Sequence, residues 1–281
     1  MTCERLVNHE PLTKMKIPIY QIDAFTNQLF GGNPAAVCQL EDWLPNDVLQ
    51  AIAAENNLAE TAFFVPSSNV QGEGTFEITW FTPAYEIDLC GHATLATAHV
   101  IWHYLDWPQD EIRLRSRQSG ELVVRKRGHY LQLDFPSRPP QPVADPPDFE
   151  KALGVKPVEV LKAREYVVVL ENETAVRQAV PNYDYFADLD AIGVVITALA
   201  DDPAVDFVSR CFDKLEAIGE DPVTGSAHCY LIPYWAEKLQ KEQFVAHQTS
   251  QRGGELHCQL LDDRVRIAGQ AVTYLVGEIE V

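Results

Sequence analysis

The chain has 281 residues, 46% of them hydrophobic, enough apolar surface for one large core or two smaller ones. Its 41 acidic residues against 22 basic ones leave a formal net charge of -19, which repels phosphate backbones and anionic lipid and argues against nucleic-acid and membrane partners. No apolar run approaches the roughly 20 residues of a spanning helix, and the first residues lack the apolar core and cleavage site of a signal peptide, so a cytoplasmic protein is expected.

Residues 1–14 are polar and unpatterned and read as an extension outside the fold. From residue 15 onward, short runs of β-branched and aromatic residues predict strands at 17–23, 60–65, 76–82, 111–115, 121–126 and 130–135. Further runs follow at 166–171, 194–199, 206–212, 256–261, 265–269 and 271–281. In "RLRSRQSGELVVRKR", Arg113, Arg115 and Arg117 alternate with other residues, and Arg125, Lys126 and Arg127 follow a glycine turn, the pattern of a hairpin with one solvated face. Three helices are expected: the amphipathic "PNDVLQAIAAEN", then "GHATLATAHVIWHYL" and "GSAHCYLIPYWAEKL", both nearly apolar around their circumference. Helices of that kind belong inside something, so the fold class expected is α+β, with two curled sheets each wrapped around one central helix.

Six prolines fall within the twelve residues 136–147, which can continue neither a helix nor a central strand, so the linker between the lobes is placed there. The first lobe then spans 15–135 and the second 148–270, with the strand at 271–281 returning to the first. The two buried helices open alike, in "DLCGHAT" and "DPVTGSAH", with Gly91 and Gly225 lying 225 - 91 = 134 positions apart, close to half the chain. That repeat reads as an internal duplication, which would set two helix N-termini face to face across a cleft.

A helix N-terminus offers unpaired N–H groups and a partial positive charge, and a leading glycine clears the approach of an anion; ordinary capping is the bland alternative. His92 follows Gly91, where the helix dipole should keep the ring neutral. Asp221 precedes Pro222 and projects at the mouth of the second N-terminus or merely anchors its turn. Glu60 opens an apolar strand after a turn containing Asn56 and Asn57, an acid/base candidate that could equally be a surface residue. Cys90 beside the N-terminus would have its thiolate favoured, giving a second acid/base, or packs as a small hydrophobe. The cysteines (Cys3, Cys38, Cys90, Cys211, Cys229, Cys258) form no C-x-x-C pair, and His92, His99 and His103 share a helix stripe without the Glu of H-E-x-x-H, so no metal site is expected.

Five blocks, "DAFTNQLFGGNPAAVC", "NNLAETAFFVP", "WFTPAYEIDLCGHATLATAH", "GEDPVTGSAHCYLIPYW" and "QRGGELHCQLLDDRVRIAGQAVTYLVGE", resemble the phenazine-biosynthesis isomerase-like (PhzF-like) family from about residue 16 to the C-terminus. The resemblance implies the diaminopimelate-epimerase fold and a homodimer. It also implies an isomerase that moves a proton within a small carboxylate-bearing substrate and needs no cofactor. By the same resemblance Glu60 is the proton shuttle, His92 and Asp221 support it, and Gly91, Gly225 and Ser226 cradle the substrate carboxylate. Epimerases of this fold use two opposed cysteines, and here only Cys90 is present, with Pro222 and Val223 read at the second place. A one-cysteine epimerase relying on Cys90, or a non-catalytic metabolite-binding or interaction protein, is the alternative. Specificity is assigned to loops such as residues 66–74.

Overall fold

The computed structural model describes residues 15–67, 75–215 and 219–281; the expected extension at 1–14 and most of the loop at 66–74 lie outside the described residues. The first lobe contains β1 (Lys16–Ala24), β2 (Asn33–Gln39), α1 (Asn46–Asn56), β3 (Glu60–Pro66), β4 (Thr75–Phe81), β5 (Glu86–Ile87), α2 (Gly91–Tyr104), β6 (Glu111–Ser116), β7 (Gly120–Arg127) and β8 (Tyr130–Pro136). The second runs through β9 (Gln141–Pro142), α3 (Phe149–Leu153), β10 (Glu159–Lys162), β11 (Tyr166–Val169), α4 (Glu173–Gln178), α5 (Tyr183–Phe186) and β12 (Gly193–Leu199). It continues with β13 (Phe207–Asp213), β14 (Glu220–Asp221), α6 (His228–Leu239), β15 (Gln243–Gln248), β16 (Gly254–Leu261) and β17 (Arg264–Gly269), and β18 (Ala271–Glu280) follows.

The two halves repeat strand for strand, the second adding the short helices α3 and α5. Neighbouring strands run β18-β1-β2-β3-β4-β6-β7-β8 in one sheet and β9-β10-β11-β12-β13-β15-β16-β17 in the other, with β5 on β4 and β14 on β13. Parallel pairs fall at matching places, β2 with β3 and β4 with β6 against β11 with β12 and β13 with β15. Strand β18 pairs along the whole of β1, from Lys16↔Glu280 to Ala24↔Ala271, so the chain's final strand belongs to the first lobe's sheet. The sheets meet where β8 lies antiparallel to β17, Leu131 opposite Gly269 and Pro136 opposite Arg264.

Helix α2 fills the first sheet's concave side and α6 the second's, their residues joining one core that includes Leu95, Val100, Ile101, Leu231 and Trp235. Burying each large aliphatic side chain contributes about 1.5–3 kcal/mol, which is why a helix with no polar face is stable here. Cys90 caps α2 in extended backbone without a side-chain bond, and Thr94 and Thr97 donate back to the Cys90 and Ala93 carbonyls. The expected hairpin forms from β6 and β7, with Gly120 at φ +75 in its turn and Arg113 bound to both Glu111 and Glu121 on the outer face.

The structure departs from the sequence expectation locally, and strands β10 and β15, like β2, are not among the expected ones. Helices α3, α4 and α5 are too short for a periodic pattern and rest instead on Asp148, Asn172 and Asn182, each accepting a first-turn N–H. Strand β2 begins Asn-Pro and carries two alanines, a composition poor in β-formers, yet it sits between β1 and β3. Helix α6 starts at His228 rather than Gly225, because residues 225–227 bond in tighter steps, Gly225 to His228 and Ser226 to Cys229. No described helix is long and apolar enough to cross a membrane.

Candidate active site

Gly91 at the head of α2 and Gly225 ahead of α6 touch across the lobes: a Cβ built on Gly91 would lie 4.0 Å from the Gly225 Cα and 3.8 Å from the Phe135 ring. Around this junction a cavity of about 340 Å³ is lined by Glu60, Cys90, Gly91, His92, Asp221, Gly225 and Ser226, so the structure brings every sequence-predicted site residue to one place. Gly91→Ala meets only ordinary contacts, so the variant should fold with unchanged Tm while its methyl occupies the anion approach. Binding of a small carboxylate, read by calorimetry, is expected to weaken about tenfold or more, the worth of a charge-assisted hydrogen bond.

Glu60 is the first residue of β3, placed opposite Ala35 of β2 by the parallel ladder and preceded by Asn57 in left-handed conformation at the end of α1. Its Oε2 lies 3.0 Å from His92 Nε2, with both side chains largely buried. Apart from that ring, the oxygen is buried with no other polar partner among the described residues. Burial works against a charged His92, but Cys90 and Glu60 outweigh it and raise the ring well above its ordinary value. The neutral ring expected from the helix dipole is therefore corrected, since the facing carboxylate acts at 3.0 Å and the dipole only as a partial charge.

Asp221 is raised from 3.8 to about 6, first by burial and then by the charge of Glu60, while His92 and the hydrogen bonds from Thr224 and Asn33 pull it down. Cys90 Sγ stands 3.5 Å from His92 Nδ1, and burial holds the thiol above its usual value, which reverses the thiolate expected from the helix terminus. Counting from Gly225, the residue matching Cys90 is Thr224, not Pro222 or Val223, and it carries no thiol either. Ladder register pairs Thr61 with Phe81 as it pairs Val194 with Phe212, making Gly193 the counterpart of Glu60. A side chain there would begin 2.3 Å from the Phe212 carbonyl, so the second lobe has no room for a matching acid.

Asn33, the first residue of β2, is fully buried and was not singled out by sequence reasoning. Its amide donates to Asp221 Oδ1 at 2.7 Å and to the Val223 carbonyl at 3.0 Å, and lies 3.2 Å from His92 Nδ1, tying the supporting residues of both lobes together. A polar residue between a glycine pair and a buried strand was the available signal. Arg252 of the second lobe braces that glycine pair, bonding the Gly31 and Gly32 carbonyls and the buried Asp23.

Ligand atoms of Glu60, Cys90 and His92 lie within 4.8 Å of one another and could hold a metal ion. The His99 and His103 rings stack on each other instead, and His99 bonds Thr273. An ion among the first three would occupy the oxygen that is otherwise open to a proton.

Residues 22–277 match the family described as phenazine biosynthesis-like protein. An uncharacterized isomerase of Pseudomonas aeruginosa is 46% identical over 265 residues, covering 94% of this chain and 99% of that protein. A crystal structure of a phenazine biosynthesis protein of the PhzF family from Enterococcus faecalis has a TM-score of 0.90 at 44% identity, over 95% of this chain and 100% of that one. A hydroxyproline epimerase from Agrobacterium vitis, 10% identical, has a TM-score of 0.60 over 96% of this chain and 93% of its own, a likeness of fold alone. The architecture is that of the diaminopimelate-epimerase-like fold, two lobes each curled around a central helix.

Proposed function

Because the chain belongs to the phenazine biosynthesis-like family, we propose that it is an isomerase that shifts a proton between carbons of a small carboxylic acid, with Glu60 as the proton carrier. The observation that carries this reading is the Glu60 oxygen, buried at the cavity wall with His92, 3.0 Å away, as its one polar neighbour among the described residues. A carboxylate so placed can take a proton from carbon and return it elsewhere. The substrate carboxylate would lie at the Gly91 and Gly225 turns with Ser226, whose N–H groups also stabilise enolate-like charge as it develops. His92 and Asp221, joined through Asn33, would hold Glu60's surroundings in register. The chemistry needs no cofactor in this scheme.

The test is proton-for-deuteron exchange followed by NMR in D2O on a panel of small unsaturated and amino carboxylic acids. Exchange at carbon supports the reading. Clear binding without exchange on any panel member would replace it with a metabolite-binding role.

A second reading, a one-cysteine epimerase, is favoured by the position of Cys90 in the cavity wall, 3.5 Å from His92 Nδ1. Its buried thiol is held neutral, and Thr224 stands where the opposed thiol would be. Cys90→Ala is therefore expected to retain exchange within about threefold of wild type, in contrast to the hundredfold or greater loss typical of a removed acid/base. A loss of that larger size would decide for the epimerase.

A further inference from the structure

Arg138 and Arg164 also line the cavity that contains Glu60. Both side chains are exposed, and among the described residues neither guanidinium has a hydrogen bond or an ion pair. Arg113, Arg125, Arg210, Arg252 and Arg264 each grip a carboxylate, whereas Arg115 and Arg127, on the β6–β7 hairpin, are as open as Arg138 and Arg164 among the described residues. What sets Arg138 and Arg164 apart is their place: two open guanidiniums line the cavity that contains Glu60.

Their placement is built into the fold. Pro233 in α6 has no N–H for the carbonyl of Cys229, four residues earlier, and that carbonyl instead accepts the Arg138 N–H at 2.8 Å. Arg164 occupies the turn from β10 to β11, closed by the Ala163 N–H on the Glu165 carbonyl at 2.9 Å. Glu165 is buried, with the Tyr230 hydroxyl donating to its carboxyl; burial raises it, while Arg164 and Arg138 both act to lower it. The two cations thus share one wall of the cavity with Cys229 and Tyr230, and Glu60, Cys90 and Gly91 stand on the first lobe's side.

An anion entering meets Glu60, Asp88 and Asp221 in the lining and a net charge of -19 around it. The N–H groups at the Gly91 and Gly225 turns can hold one carboxylate. The arginine pair is then in excess of what a monoanion needs, and guanidinium forks match planar carboxylate and phosphate oxygens.

We propose that the substrate carries a second anionic group, bound by Arg138 and Arg164 while its first carboxylate lies at the glycine turns. The proposal rests on the reading of this cavity as the substrate site and narrows it to dianionic acids. The remote group is a carboxylate or a phosphate-type group.

Calorimetric titration of the full chain with glutarate, 3-phosphonopropionate and pentanoate at matched ionic strength tests it, in wild type and in Arg138→Gln, Arg164→Gln and the double variant. Both dianions should bind wild type about tenfold or more tightly than pentanoate, with the preference fading at high salt. The tighter dianion identifies the remote group. The double variant should lose this preference and keep its pentanoate affinity, and it should still fold with at most a small fall in Tm, because neither guanidinium holds a hydrogen bond or ion pair among the described residues and each acts on buried Glu165 only through its charge. Equal affinity of all three for wild type, absence of binding, or a preference that survives the double substitution would overturn the proposal. So would an equal loss for all three ligands, which would put the single carboxylate at the arginines. Binding is read without turnover, so a failure of exchange in D2O leaves this result standing, and a failure here leaves the exchange result standing.

Discussion

Glu60→Gln is expected to lower proton-for-deuteron exchange on a substrate by roughly 10²–10⁴-fold, the usual contribution of a positioned acid/base. The amide has the carboxylate's shape but cannot accept and return a proton. The variant should still fold, because the amide keeps the carboxylate's shape, the side chain is 18% exposed, and His92 can shed its proton once the facing charge is gone. The position equivalent to Glu60 in the second lobe offers no duplicate acid, since at Gly193 any side chain would begin 2.3 Å from the Phe212 carbonyl. NMR in D2O, with thermal melting as the control for folding, reads the result. Full retention of exchange by a folded variant would remove Glu60 from its assigned role.

Asp221→Asn should separate stability from activity. In the folded protein Asp221 holds its proton up to about pH 6, whereas an unfolded aspartate releases it near 3.8. Between those values the unfolded state loses the proton and the folded state keeps it, so the wild type loses stability as pH rises through the window. The asparagine variant carries no such dependence. Its stability relative to wild type should therefore rise with pH between about 4 and 6 and stay level above. At 1.36 kcal/mol per unit the gain is at most about 3 kcal/mol, and partial exposure of Asp221 reduces it to roughly 1–3 kcal/mol. Denaturant titrations of both proteins at pH 3.5, 5 and 7 would show it, together with slower exchange as the link to His92 through Asn33 changes. A relative stability that does not vary with pH would mean that Asp221 titrates normally.

Much of the fold was legible because its main signals are local. Helices α2 and α6 are apolar all round, a pattern only burial explains, and the glycine repeat at 91 and 225 identified their heads as matching elements. Glu60, His92 and Asp221 were candidates by their settings at a strand start, a helix start and a pre-proline turn, their roles came only from the family resemblance, and the structure lines one cavity with all three. What sequence could not supply was contact across the lobes. Asn33 matters only because β2 carries it against Asp221, 188 positions away, and nothing in "GGNP" names that partner. The His92 and Cys90 protonation expectations reversed for the same reason, since each weighed the helix dipole and lacked the distance to Glu60 and the depth of burial. Arg138 was hidden within a proline-rich stretch read only as a linker, and its position depends on a carbonyl that Pro233 leaves open.

The pairing of β18 with β1 joins residues as far apart as Lys16 and Glu280. During synthesis the first lobe therefore waits, its sheet lacking an edge, until the whole second lobe has been made. Contacts this distant in sequence form slowly, because loop closure must come before they can stabilise anything. The unfilled edge of β1 is exposed through that interval, so newly made chains should depend on chaperone cover more than a protein whose lobes close in the order they are translated.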